Sequence, residues 1–358
     1  MKRMNYRTLI LTALSIILLV PGAVFPNEMT EVWGTIYRNA PNLQQKYAVM
    51  LNIIELDNRD MVPLLIEALD ELNNQRIEYN KQEAVIQDDL KFLIISEVGN
   101  LKAGEAGPYI YRAMKETDDP FLKSESISAL GKIGAKTYAH EISLILKNLT
   151  LSRGNDLRGA EAIAFGCIVA LERLKEPVGY IQVFYAMDAG FSRRINELGK
   201  RALQNILEDP SEILNDILIN ETELKIKLNA LKAVDYSKAP AERKNVVAHT
   251  ALDQGLSIQP MDIKGKSYLR ELRMLALEMF IKNKGDNGES VKLIEKLFYI
   301  NTDTTEKISS LEVLRIMSND EAANALNRYL AHQNRRQESG VSTRSNRIVI
   351  ATIRAIGS

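Results

Sequence analysis

The side chains that most often do chemistry in proteins are scattered through this sequence. His140, His249 and His332 fall in three separate segments without a shared short spacing, so no local metal-binding motif is present. Only His140 is followed by an acid, Glu141; Thr250 and Gln333 follow the other two. Serines and aspartates are plentiful, but none has a histidine close by in sequence to act as its base. Lys284-Gly-Asp-Asn-Gly288 has the glycines of a phosphate loop, yet it lies at a helix junction and reads as a turn. Cys167 is the single cysteine, set in the apolar run 162–171, where a thiol acts as a small hydrophobe. These observations point away from an enzyme and from any bound cofactor or metal. What remains is tyrosine and arginine, the types that most often anchor protein interfaces. Tyr109, Tyr111 and Arg112 form one group, Tyr180, Gln182 and Tyr185 a second, and Tyr299 and Tyr329 a third. Tyr111, Arg112, Tyr180 and Tyr185 are the candidate protein-binding residues. Ile110 in the first group, and Ile181 with Phe184 in the second, already supply apolar side chains for burial.

The elements that must carry these residues are short amphipathic helices. The clearest unit is residues 120–151, PFLKSESISALGKIGAKTYAHEISLILKNLTL. Leu122, Ile127, Leu130 and Ile133 make one apolar helical stripe, and Ile142, Leu144, Ile145 and Leu149 a second. Gly134 and Ala135 break the chain between them. A lone pair of such helices leaves apolar surface uncovered, so it needs neighbouring pairs to complete a core. The run Ala129-Leu130-Gly131-Lys132-Ile133-Gly134 resembles the ending of the first helix of a HEAT repeat, with Lys123 at the position where that family usually carries Arg and Ser126 where it carries Ala. Fainter copies include Val98-Gly99-Asn100-Leu101 and the steps Ala202-Leu203, Ala230-Leu231 and Ala276-Leu277. The resemblance implies an all-α fold, an α-solenoid of about eight HEAT-like helical pairs plus a terminal helix over 42–358, repeating at roughly 40 residues. It also implies that the second helix of each pair lines the inner surface, where the tyrosine groups fall.

Three enzyme families of similar architecture bear on the alternatives. Deoxyhypusine hydroxylases hold iron with repeated His-Glu pairs, of which this chain has one. Phycobilin lyases share the repeat, but no residue here marks a tetrapyrrole pocket. HEAT-like DNA glycosylases need a basic groove, and this chain balances 46 Lys and Arg against 46 Asp and Glu. That balance gives no field to attract nucleic acid.

Composition agrees with a long helical array. The chain has 358 residues, more than one core usually serves, and only 10 prolines and 19 glycines to interrupt helices. Lys2, Arg3 and Arg7 precede the apolar run 9–20, and Pro21-Gly22-Ala23 follows it, the pattern of a secretory signal peptide over 1–22. The run falls short of the ~20 residues of a membrane-spanning helix. No cysteine stands directly after it, so the segment does not read as that of a lipoprotein. Residues 23–41 read as a linker and N-terminal cap, with Trp33, Ile36 and Tyr37 covering the first repeat. The polar stretch 334–346, with Arg335, Arg336 and Arg344, reads as a solvated loop. The sequence thus describes a periplasmic or secreted, non-catalytic scaffold or adaptor that binds other envelope proteins. It has two alternatives: a HEAT-like enzyme of lyase or hydroxylase type, and a structural protein that self-assembles into a homo-oligomer through its C-terminal helix. In that helix Ile348, Ile350, Ile353 and Ile356 could present an apolar end.

Overall fold

The computed structural model describes residues 26–75, 80–152, 156–285, 288–300, 303–340 and 346–357. The signal-peptide reading of 1–22 and Arg344 lie outside these residues. Among them the fold is all-α, with eighteen α-helices and no strand. Helices α1 to α6 are Pro26–Arg38, Leu43–Glu55, Val62–Asn74, Lys81–Asn100, Gly107–Glu116 and Pro120–Lys132. Helices α7 to α12 are Ala139–Leu151, Leu157–Leu174, Val178–Ala186, Arg193–Ile206, Ser211–Asn220 and Leu224–Tyr236. Helices α13 to α18 are Ala241–Ser257, Ile263–Asn283, Gly288–Ile300, Thr304–Met317, Asp320–Glu338 and Asn346–Ile356. From α2 onward the even-numbered helices are the first of each expected pair and the odd-numbered ones the second.

Local chemistry sets these boundaries. Asn42, Asn80, Asp119, Asp262 and Asp303 cap α2, α4, α6, α14 and α16, each side-chain oxygen accepting a first-turn N–H. At their other ends, Asp57, Lys102, Gly134, Lys175, Lys284 and Ser318 adopt left-handed backbone just after α2, α4, α6, α8, α14 and α16, with φ from 43° to 73°. This is the helix-terminating turn that glycine favours, and only Gly134 supplies the glycine. The turn therefore recurs where the sequence carries no glycine.

The chain divides into two compact units, Met1–Tyr138 with Arg158–Ala170, and Ala139–Leu157 with Leu171–Ser358. In the first, α2, α4 and α6 pack in series, and α3 packs on α5. A Cβ built on Gly131 of α6 would sit 2.5 Å from Ala170 Cα, so only glycine permits this approach of α6 to the 158–170 segment. In the second unit, α10, α12, α14, α16 and α18 follow one another in contact, as do α11, α13, α15 and α17. Within each unit, then, contacts run mainly from one helix to its neighbours and next-but-one neighbours, a repeat-like arrangement.

A basic residue recurs in the first helices. Lys46, Lys91, Lys123, Lys227, Arg273 and Lys307 each precede buried apolar residues four and seven positions on, as in Lys227, Leu231 and Val234. Their partners differ. Lys46 pairs with Glu71 on α3, Lys227 donates to the Leu218 and Ile219 carbonyls at the end of α11, and Arg273 bonds the Gly255 carbonyl and the fully buried Glu306. Lys123 occupies the same register as the other five.

Three stretches depart from the sequence reading. The linker is helical over α1, with Glu28 in its first turn and Arg38 in its last, charges that complement the helix dipole. Arg38 reaches Glu67 of α3 at 2.6 Å, and Tyr37 is buried, whereas Ile36 faces solvent at 42% exposure. The loop read over 334–346 begins later, because α17 runs on to Glu338 with Arg335 and Arg336 at its negative end. In α7, Leu144 is 39% exposed and Leu146, two residues on and roughly on the opposite side of the helix, is buried with Ile142.

Candidate functional site

The site is built by α9 and α11 of the second unit. Helix α9 is apolar on nearly every side, and its register decides which residues go inside. Tyr180, Val183 and Phe184 are buried, at 1%, 0% and 3% exposure, which leaves Ile181 and Tyr185, four residues apart, on one outward stripe. Helix α11 buries Leu214 and Leu218 and turns Ile213, Asp216 and Asn220 outward. Between the two stripes lies a shallow groove of 270 Å³ lined by Ile181, Tyr185, Ile213, Asp216, Ile217, Asn220 and Glu221.

Glu221 closes one end of it. The Tyr185 hydroxyl donates to Glu221 Oε2 at 3.2 Å, and the Thr222 and Glu223 amides donate to Oε1 at 2.8 and 3.2 Å. Burial alone would raise the Glu221 pKa, but these bonds and the Lys227 ammonium outweigh it and hold the carboxyl below the usual range. The groove therefore keeps a carboxylate at neutral pH. Burial, with Glu221 beside it, pushes the Tyr185 phenol up, so it remains a donor. The lining mixes isoleucine side chains from both helices with the acceptor oxygens of Asp216, Asn220 and Glu221. This suits a segment that presents an apolar side chain next to a cation or an N–H donor.

The other predicted residues have different surroundings. Tyr180 is a core residue and cannot offer its ring to a partner; it occupies the inward position that the sequence reading gave to Ile181. Arg112 braces its own fold, donating to Glu116 at 2.9 Å, to Asn74 at 2.8 Å and to the Asn73 carbonyl at 3.3 Å. Tyr111 stacks on Tyr138 with ring centroids 4.4 Å apart. Tyr299 is 48% exposed and meets His332 edge-on, while Tyr329 is buried at 1%. Of the four candidates the groove contains Tyr185 alone, together with Ile181, Ile213, Asp216 and Glu221. The signal for the isoleucines was the i, i+4 spacing of Ile181 and Tyr185; nothing local pointed to α11.

The structure also joins two residues far apart in sequence, His249 Nδ1 and Ser290 Oγ, at 2.9 Å. Ser290 is fully buried, so this is a contact between α13 and α15 without room for a substrate. Cys167 is likewise fully buried, and burial raises its thiol pKa far above the ordinary range, which suppresses the thiolate. Among the described residues no group of three or more His, Cys, Asp and Glu is placed to share a metal ion, and no helix is long and apolar enough to cross a membrane.

No protein-family model and no curated protein matches the chain. Among solved structures, one from the computational design of self-assembling cyclic protein homooligomers is similar at 15% identity, over 87% of this chain and 97% of its own. Its TM-score of 0.12 is too low to carry an argument about fold or assembly.

Proposed function

We propose that this chain is a HEAT-like α-solenoid that works as a non-catalytic scaffold or adaptor, binding envelope proteins after export. The observation that carries the binding role is the α9–α11 groove, where the exposed Ile181 and half-buried Ile213 lie beside the Tyr185–Glu221 pair that links α9 to the residue just after α11. The alternation of helices, the recurring left-handed turn and the basic register support the solenoid reading. The N-terminal charge and hydropathy pattern supports export to a periplasm or outside the cell. Affinity purification of the tagged chain from its native host, beside Ile181→Asp, tests the binding role. A partner held by the wild type and lost by the variant is expected; identical partner sets would overturn it.

A second reading, self-assembly, is favoured by α18, where Ile350, Ile353 and Ile356 are 49%, 56% and 40% exposed along one side. Light scattering across a dilution series tests it. A mass that rises with concentration and falls back in Ile353→Asp supports assembly, and a constant monomer mass rejects it.

A further inference from the structure

The most exposed large apolar side chains among the described residues are neighbours in one turn. Met261, in the connection between α13 and α14, is 105% exposed, and Ile263, the first residue of α14, is 86% exposed. Their exposure is built in by the turn. Asp262 caps α14 by accepting the Gly265 amide at 2.6 Å, which fixes the residues on either side of it. A Cβ on Gly265 would meet Pro260 at 3.3 Å and Leu224 at 3.4 Å, so the base of the turn is packed against α12. A residue at the Met261 position usually folds back onto the fourth helical residue, but that residue here is Lys266, and no apolar contact forms. The apolar pair is thus held out in solvent.

The charges beside it are basic. Lys264 and Lys266 are both exposed, and Lys264 lies over the Tyr268 ring at 5.9 Å. The one acid within the turn, Asp262, is engaged by the backbone amide. Apolar tips flanked by lysines match the boundary of an anionic bilayer, where side chains enter the acyl edge and ammonium groups meet phosphates.

We propose that the 258–266 turn is a lipid-surface wedge, with Met261 and Ile263 inserting into an anionic membrane face and Lys264 and Lys266 binding its headgroups. It gives reversible, peripheral attachment and is independent of the α9–α11 groove. The test is co-flotation of the purified chain, from residue 23 onward, with phosphatidylcholine vesicles and with vesicles that also contain phosphatidylglycerol. Flotation is expected only with the anionic vesicles, falling as salt is raised. Lys264→Ala with Lys266→Ala should weaken it roughly 25-fold, at about a factor of five for each lysine. Met261→Ser with Ile263→Ser should abolish it, and circular dichroism should show both variants folded, since the altered side chains are exposed. No flotation with anionic vesicles, or flotation unchanged in the serine variant, would overturn the proposal. So would a serine variant whose only change is a lower mass in solution, which would make the turn a contact between copies.

Discussion

Gly131→Ala tests the closeness of the helices in the first unit. The added methyl would lie 2.5 Å from Ala170 Cα and 2.9 Å from Ala170 Cβ, and a backbone atom cannot swing aside as a side chain can. Overpacking of this kind costs about 1–3 kcal/mol. Alanine recovers up to about 1 kcal/mol through helix propensity, less here because Gly131 lies in the last turn of α6. The net expectation is a loss of about 1–2 kcal/mol. Gly99→Ala is the built-in comparison, since its methyl would meet Ala129 Cβ and Lys132 Cδ at 3.1 Å and Ala129 Cα at 3.3 Å, contacts that a shift of a few tenths of an ångström relieves. There the two effects nearly cancel. Urea denaturation followed by far-UV ellipticity reads both, with emission from Trp33, the single tryptophan, as a second probe in the first unit. If Gly131→Ala matches or exceeds the wild type, the close approach of α6 to residues 158–170 is wrong.

Two further perturbations follow from backbone and charge. Lys175 is exposed with φ 54°, so Lys175→Gly should relieve left-handed strain and stabilise by up to about 1 kcal/mol, and Gly134→Ala, at φ 73° with open space around it, should cost about as much; thermal unfolding compares them. Asp303 caps α16 and takes the Arg270 guanidinium at 2.8 Å; this bond above all, with the Thr305 and Glu306 amides, depresses its pKa. A carboxyl lowered in the folded state stabilises above its unfolded pKa, and that contribution disappears as pH falls through the folded value. Asp303→Ala should therefore cost about 1 kcal/mol at neutral pH. The difference from wild type should shrink toward zero in acid, as read by urea midpoints across pH.

Periodicity made the helices legible. Apolar residues recur every three to four positions, and the unit read over 120–151 with its break at Gly134 and Ala135 corresponds to α6, Pro120–Lys132, and α7, Ala139–Leu151. The recurring turn was hidden because Asp57, Lys102, Lys175, Lys284 and Ser318 adopt a glycine-like backbone without being glycine. The basic register was hidden for another reason: lysine is common, and its partners, a carboxylate for Lys46 and two carbonyls for Lys227, lie on other helices. Tyr180 and Ile181 were exchanged because α9 is apolar on nearly every side, which leaves its rotation to its neighbours. Glu221 and Ile213 join Tyr185 only through packing of separate helices, and local spacing carries no record of that.

The central claim is that the α9–α11 groove receives a partner protein. A photo-reactive amino acid placed at Ile181, and for comparison at the 60% exposed Val85, followed by irradiation of intact host cells, tests it most directly. The account predicts a discrete crosslinked product from position 181 that is absent from position 85 and is lost on adding Glu221→Ala. No product from position 181, or the same products from both positions, would contradict it.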